Sequence, residues 1–178
     1  MVSPLEQVAI AGQSVWSDQI SRSMLDSGEL KRRIDDDAVT GVTSNPSIFA
    51  KAIVGSADYD DQLDEMKGRG ASAEEVIAAL MTSDIQRACD VLTELHRQTD
   101  GRDGYVSVEV TPTLAHETDA TVAEAREWVK RVDRPNLLVA LSVELVWAER
   151  QPRLGDPRQP GDPIQQRCLL THDCNLPD

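Results

Sequence analysis

Three side chains able to move protons or hold a polar substrate stand at the ends of short strand-like segments. Asp18 follows Ser14-Val15-Trp16-Ser17, Asn45 follows Gly41-Val42-Thr43-Ser44, and Glu109 closes Tyr105-Val106-Ser107-Val108. Parallel βα units bring strand-end residues of this kind over one cavity, because the loops diverge there and the sheet presents its polar tips. Two carboxyls and an amide in one pocket suit proton transfer on a polyol or a carbonyl compound. Glu109 carries the most information. Alternation puts Val106, Val108 and Val110 on one face and Tyr105, Ser107 and Glu109 on the other, and a carboxylate is costly to bury unpaired. Plainer roles exist beside these. Asn45 before Pro46 is a good helix N-cap, and Asp18 ahead of Gln19-Ile20-Ser21-Arg22 can serve as a turn or capping residue.

Other polar residues form no comparable set. His116-Glu117 begins like a zinc-protease HExxH helix, but position 120 is Ala, so the second metal ligand is missing and no metal is expected. His96 falls on a helix face and His172 in the proline-rich tail, neither with a Cys or Asp at relay spacing. No glycine-rich phosphate loop is present, and no cofactor is implied. Cys89, interleaved with an apolar helical stripe, reads as a small buried hydrophobe.

The elements that must position these residues alternate between strand and helix over residues 1–139, as βα units around a parallel sheet do. Four units are expected. Helical text after Asp18 breaks at Gly28 and resumes from Leu30 to Asp36, and a helix opening at Pro46 can end at Gly55. The capping box Ser72-x-x-Glu75 starts an apolar stripe of Ile77, Met81, Ile85, Ala88, Leu92 and Leu95, in one helix or in two split near Thr82-Ser83-Asp84. A second capping box, Thr121-x-x-Glu124, opens the helix carrying Val122, Ala125, Val129 and Val132 ahead of a fourth strand, Asn136-Leu137-Leu138-Val139.

Residues 140–178 differ in character. They hold five of the nine prolines (152, 157, 160, 163 and 177), two of the three cysteines and no lysine. Periodicity of either kind fades there, and this stretch is expected to be irregular, out-of-frame or disordered.

The chain's 178 residues suit one domain, short for a whole barrel enzyme, and no apolar run approaches the length of a membrane span. Thirty-one acidic residues against 18 basic ones leave a net charge of −13, which repels phosphate backbones, so neither nucleic acid nor membrane is an expected partner. Without a basic, apolar leader and with three scattered cysteines, the sequence points to the cytoplasm.

Gly12-Gln13-Ser14-Val15-Trp16-Ser17-Asp18, then Gly41-Val42-Thr43-Ser44-Asn45-Pro46-Ser47-Ile48-Phe49, then Asp103-Gly104-Tyr105-Val106-Ser107-Val108-Glu109-Val110 and Leu114-Ala115-His116 together resemble bacterial transaldolase over about residues 10–139. The resemblance implies a (β/α)₈ TIM barrel of the pentose phosphate pathway. It also implies transfer of a dihydroxyacetone unit from sedoheptulose 7-phosphate to glyceraldehyde 3-phosphate through a lysine Schiff base, with sugar phosphates as partners. By motif, Asp18 and Glu109 match the family's catalytic acids, and Asn45 with Thr43 its substrate-binding pair.

The family's lysine stands directly after the apolar tetrad of strand four, where this chain has Ala140. The amine condenses with the ketone to an imine, an electron sink no hydroxyl or carboxyl replaces. The chain's lysines, Lys31, Lys51, Lys67 and Lys130, all fall on helical or loop text. Strands five to eight of the family are missing too. One cause covers both losses: a change of reading frame or gene model at about residue 140. The fold expected is therefore a truncated TIM barrel of about four βα units with an irregular tail, inactive, and prone to self-association through exposed edge strands. The alternatives are a non-catalytic half-barrel interaction module and a barrel aldolase that uses Asp18 and Glu109 without an imine.

Overall fold

The computed structural model describes residues 3–44, 46–114, 116–140 and 169–171. Four parallel strands, β1 (Val15–Ser17), β2 (Val39–Ser44), β3 (Tyr105–Glu109) and β4 (Leu137–Ala140), lie side by side in chain order. Helices connect them: α2 (Arg22–Asp26) and α3 (Glu29–Asp37) between β1 and β2, then α4 (Pro46–Ile53), α5 (Asp60–Gly68) and α6 (Ala73–Gln98), and finally α7 (Thr118–Val132) between β3 and β4. A short helix α1 (Pro4–Ile10) precedes β1. The architecture is that of a partial (β/α)₈ barrel.

One face of the sheet makes the core. Val42, Val106, Val108, Val110, Leu137 and Val139 point to the helices and meet Ile85, Ala88 and Leu92 of α6 and Trp128 and Val132 of α7. The alternation read over residues 105–110 thus holds, with Val106 and Val108 of β3 and Val110 just past it in the core. At two places the chain approaches itself too closely for a side chain. Gly104, with φ +83°, lies so near α6 that a Cβ would sit 2.5 Å from the His96 backbone nitrogen. Gly41 lies under the Trp16 indole, and a Cβ there would be 2.4 Å from Trp16 Cε2.

At α6 the structure decides between the two alternatives the sequence leaves open, and at α6, α7 and α1 it adds to or departs from that reading. First, α6 is a single helix of 26 residues opened by the expected capping box, with the Ser72 hydroxyl accepting from the Glu75 amide and the Glu75 carboxylate from the Ser72 amide. Thr82-Ser83-Asp84 does not split it, because Thr82 donates back to the Ala78 carbonyl at 2.6 Å and Asp84 is paired in the core. Second, Ile77 at the head of the stripe is 51% exposed, since α6 meets the core only from Leu80 onward. Third, α7 begins at Thr118, one turn before the expected cap: the Thr121 hydroxyl donates to the Leu114 carbonyl, and Glu124 reaches back to Thr111. Fourth, α1 was not anticipated, although Ser3, Pro4 and Glu6 form a full capping box with Pro in the first turn.

In the tail, Leu169–Thr171 form β5, antiparallel to β4, with Ala140 opposite Leu169. One of the two edges anticipated for a four-stranded sheet is therefore occupied, and among the described residues β1 remains the other.

Candidate functional site

The face of the sheet turned away from the core carries the polar residues in ordered rows. Strand register sets Trp16 beside Gly41 and Gly41 beside Tyr105. One step on, past the Ser17–Val42 pair, Asp18 comes level with Thr43, which pairs with Ser107, itself beside Leu138. A further step brings Glu109 opposite Ala140. The site is thus a product of register: every second residue of four parallel strands faces the same side.

Asp18 is exposed and accepts a short hydrogen bond from the Thr43 hydroxyl, so the acid and the threonine expected to serve one pocket do meet. Ser17, pointing the other way, is held by Arg33 Nη1 at 3.2 Å and donates to the Gln19 carbonyl at 3.3 Å, which fixes the end of β1. Glu109 is half-buried at the end of β3, and no hydrogen bond or ion pair among the described residues engages it. Beyond it the Glu124 carboxylate accepts from both the Thr111 amide, at 3.0 Å, and the Thr111 hydroxyl, at 2.7 Å, tying the following loop to α7. Asn45 lies outside the described residues, as does His172. Ser107, 8% exposed, shares the row of Asp18 and Thr43. It was given no role from sequence, although the period of two that selected Glu109 also selects it.

None of the four lysines faces the rows. Lys31, Lys51, Lys67 and Lys130 lie on α3, α4, α5 and α7, all exposed. Lys31 is paired with Asp35, Lys67 with Asp64, and Lys130 with Glu127. The side chain at position 140, across from Glu109, is a methyl group.

The groups with the most displaced acidities sit on the opposite face, in the core. Burial pushes the Cys89 thiol up to about 12, as its reading as a small hydrophobe requires, and pushes the Tyr59 phenol up to about 12. Burial also raises Asp84, against hydrogen bonds from Tyr59 and Arg22 that favour its charged form. His96 is half-buried, with Nδ1 2.9 Å from the Asp103 carbonyl and its ring edge-on to Tyr105 at 4.7 Å. His116 is exposed at the approach to α7. Among the described residues no group of three His, Cys, Asp or Glu side chains stands close enough to hold a metal ion, and no helix is long and apolar enough to cross a membrane.

The family described as Transaldolase/Fructose-6-phosphate aldolase matches residues 15–144. A transaldolase of Saccharopolyspora erythraea is 50% identical over 139 residues, which cover 78% of this chain and 37% of that protein. Transaldolases of Acidothermus cellulolyticus and Mycobacterium ulcerans are 50% and 49% identical, over 79% and 77% of this chain and 38% and 37% of their own lengths. The chain therefore spans little more than a third of the length of these curated relatives. A match that begins at β1 and passes through all four parallel strands, with half the positions shared with named transaldolases, shows that the chain belongs to the transaldolase/fructose-6-phosphate aldolase family.

Proposed function

We propose that the chain carries the acid-bearing part of a ketol-transfer site and does not itself complete the transfer. In this reading Asp18 and Glu109 are the proton-moving acids, and Thr43 and Asn45 hold the dihydroxyacetone portion of a sugar phosphate such as sedoheptulose 7-phosphate or fructose 6-phosphate. The register that brings Asp18 to Thr43, and sets Glu109 one row further on with no hydrogen-bond or ion-pair partner among the described residues, supports those roles.

The observation that carries the second half of the proposal is Ala140 opposite Glu109. Cleavage of the ketose carbon chain needs an electron sink, and in imine chemistry that sink is a protonated C=N bond built from a lysine. A methyl group cannot form it. A Schiff-base amine must also be partly neutral, which takes desolvation or cationic neighbours, and the four lysines are exposed, with Lys31, Lys67 and Lys130 each beside a carboxylate. Acid–base groups remain without their nucleophile.

Incubation with fructose 6-phosphate and sodium borohydride, followed by intact-mass measurement, tests this reading. The expected result is an unchanged mass. A borohydride-dependent adduct on any lysine would refute it. The change of composition at about residue 140 fits a shift of reading frame. Sequencing the locus decides that point: Lys-(Ile/Val)-Pro-Ala-Thr coding text downstream in another frame is expected, and an uninterrupted frame without it contradicts the explanation.

One further reading has a specific observation in its favour. Leu5, Val8 and Ile10 of α1 are 41%, 43% and 78% exposed beside β1, whose outer edge no described strand covers, as an interaction module or a self-associating half barrel would require. Size-exclusion chromatography with light scattering at increasing concentration distinguishes this reading by a reproducible dimer.

A further inference from the structure

We infer that Trp16 is a specificity-determining residue of the polar face, its indole forming the floor beneath the Asp18–Thr43 pair against which the carbon chain of a short ketose packs. The inference rests on the ketol-transfer reading of Asp18 and Thr43. Its own support is geometric.

Gly41 has the same parity on β2 as Thr43, so its missing side chain points to the polar face, away from Val42 and the core. That space is filled by Trp16. A Cβ at Gly41 would lie 2.4, 2.6 and 2.9 Å from Trp16 Cε2, Cδ2 and Cζ2, three atoms at or beside the ring fusion, so the indole lies across the glycine. A glycine within a strand weakens it by entropy and lost packing, and its use here follows from this close approach. Trp16 thus sits one row below the Asp18–Thr43 hydrogen bond and on the same side of the sheet.

The indole is not absorbed into the core. Trp128 on α7 is 7% exposed and packs with the core, whereas Trp16 is half-buried and is not part of the core cluster. The open cleft of about 400 Å³ that Trp16 and Asp18 line lies at the β1 edge with Leu5, Ser17, Arg33 and Asp37, and Thr43 is not part of its lining. Strand parity therefore places the wall: Trp16 on β1 and Asp18 just past it, two residues apart, face one side, so a ligand that reaches Asp18 and Thr43 from that side lies beside the ring. Short ketoses present hydroxyl edges and C–H faces, and small-molecule sites pair a few placed polar groups with an apolar wall. Asp18 and Thr43 supply the polar groups, and Trp16 the wall. A ligand lacking an extended C–H face, such as inorganic phosphate, gains nothing from it.

The test uses the full chain labelled with 5-fluorotryptophan, with the Trp16 resonance assigned through Trp16→Phe and fructose 6-phosphate as the probe. Titration is expected to move the Trp16 fluorine resonance and leave that of Trp128 in place, while inorganic phosphate moves neither. Calorimetry is expected to show binding weakened about fivefold to tenfold in Trp16→Ala, the scale of one aromatic contact, and held within about twofold in Trp16→Phe. Gly41→Ala, which pushes the indole aside, is expected to shift the Trp16 resonance in the free protein and to weaken binding as Trp16→Ala does. Circular dichroism of each variant checks the fold, and the resonance titration of the unmutated chain stands independently of them. Binding that leaves the Trp16 resonance unmoved at saturation, or an unchanged affinity in folded Trp16→Ala, overturns the inference alone. Absence of any binding to the unmutated chain overturns the functional reading together with it.

Discussion

Arg22 and Asp84, 62 positions apart, meet in the core with Nε and Nη2 each 3.0 Å from one carboxylate oxygen of an aspartate that has no exposed surface. Tyr59 donates to the other oxygen at 2.8 Å, accepts from the Arg22 amide at 3.0 Å, and lies under the guanidinium at 4.4 Å. Arg22 Nη2 also reaches Gln62 at 2.7 Å, so one network joins α2, α5 and α6. Asp84→Ala leaves a buried guanidinium uncompensated and is expected to lose about 3–5 kcal/mol in urea unfolding. The double replacement Arg22→Met with Asp84→Leu is expected to lose less than Asp84→Ala alone. Additive losses would show that the pair is not coupled.

Alkaline stability follows from two buried groups. Desolvation raises Tyr59 from 10.0 to about 12 and Cys89 from 9.0 to about 12. The unfolded chain therefore releases these protons first, and their stabilising contribution, fully present below about pH 9, is lost as pH climbs to about 12. Unfolding free energies from urea denaturation at pH 8, 10 and 11 are expected to fall progressively, by several kcal/mol in all, with part of the loss still to come between pH 11 and 12. Cys89→Ala is expected to flatten the slope between pH 9 and 10. An unaltered slope in that variant would contradict the assignment.

Gly104 joins a positive φ to backbone crowding. Its absent Cβ would meet the His96 nitrogen, Cα and Cβ at 2.5, 2.7 and 2.8 Å, where neither chain can yield cheaply. Gly104→Ala is expected to lower stability by about 2–3 kcal/mol and depress the thermal midpoint. Gly41→Ala, facing a movable indole instead of backbone, is expected to cost less.

Glu124 holds the segment after Glu109 through two bonds to Thr111. Glu124→Ala is expected to speed amide exchange at Thr111 at least tenfold while changing global stability by only about 1 kcal/mol. Unchanged exchange there would show that α7 does not restrain the loop.

Much of this was legible in the sequence because it depends on local periods. The alternation of Val106, Val108 and Val110, the capping box at Ser72, the break at Gly28 and the strand-end places of Asp18 and Glu109 all follow from local pattern, whereas Thr43 is implied only by the family resemblance. What escaped depends on distant partners. Thr82-Ser83-Asp84 leaves a split of α6 open as an alternative, because Thr82 and Ser83 disfavour helix interiors and the compensation of Asp84 by Arg22 and Tyr59 has no local signature. Thr121 and Glu124 form a plausible local cap, yet both side chains are spent on residues before the helix. The match of Trp16 to Gly41 needs the strand register, which short segments do not fix. The box at Ser3 was readable and simply lay outside the βα pattern.

The most direct measurement of the central claim is turnover. Purified chain of verified mass is incubated with sedoheptulose 7-phosphate and glyceraldehyde 3-phosphate, and erythrose 4-phosphate is followed by mass spectrometry. With Ala140 opposite Glu109 and none of the four lysines on the polar face, the rate is expected to equal that of the protein-free control. Product formed in proportion to the amount of chain, and abolished by Asp18→Asn, would contradict the account.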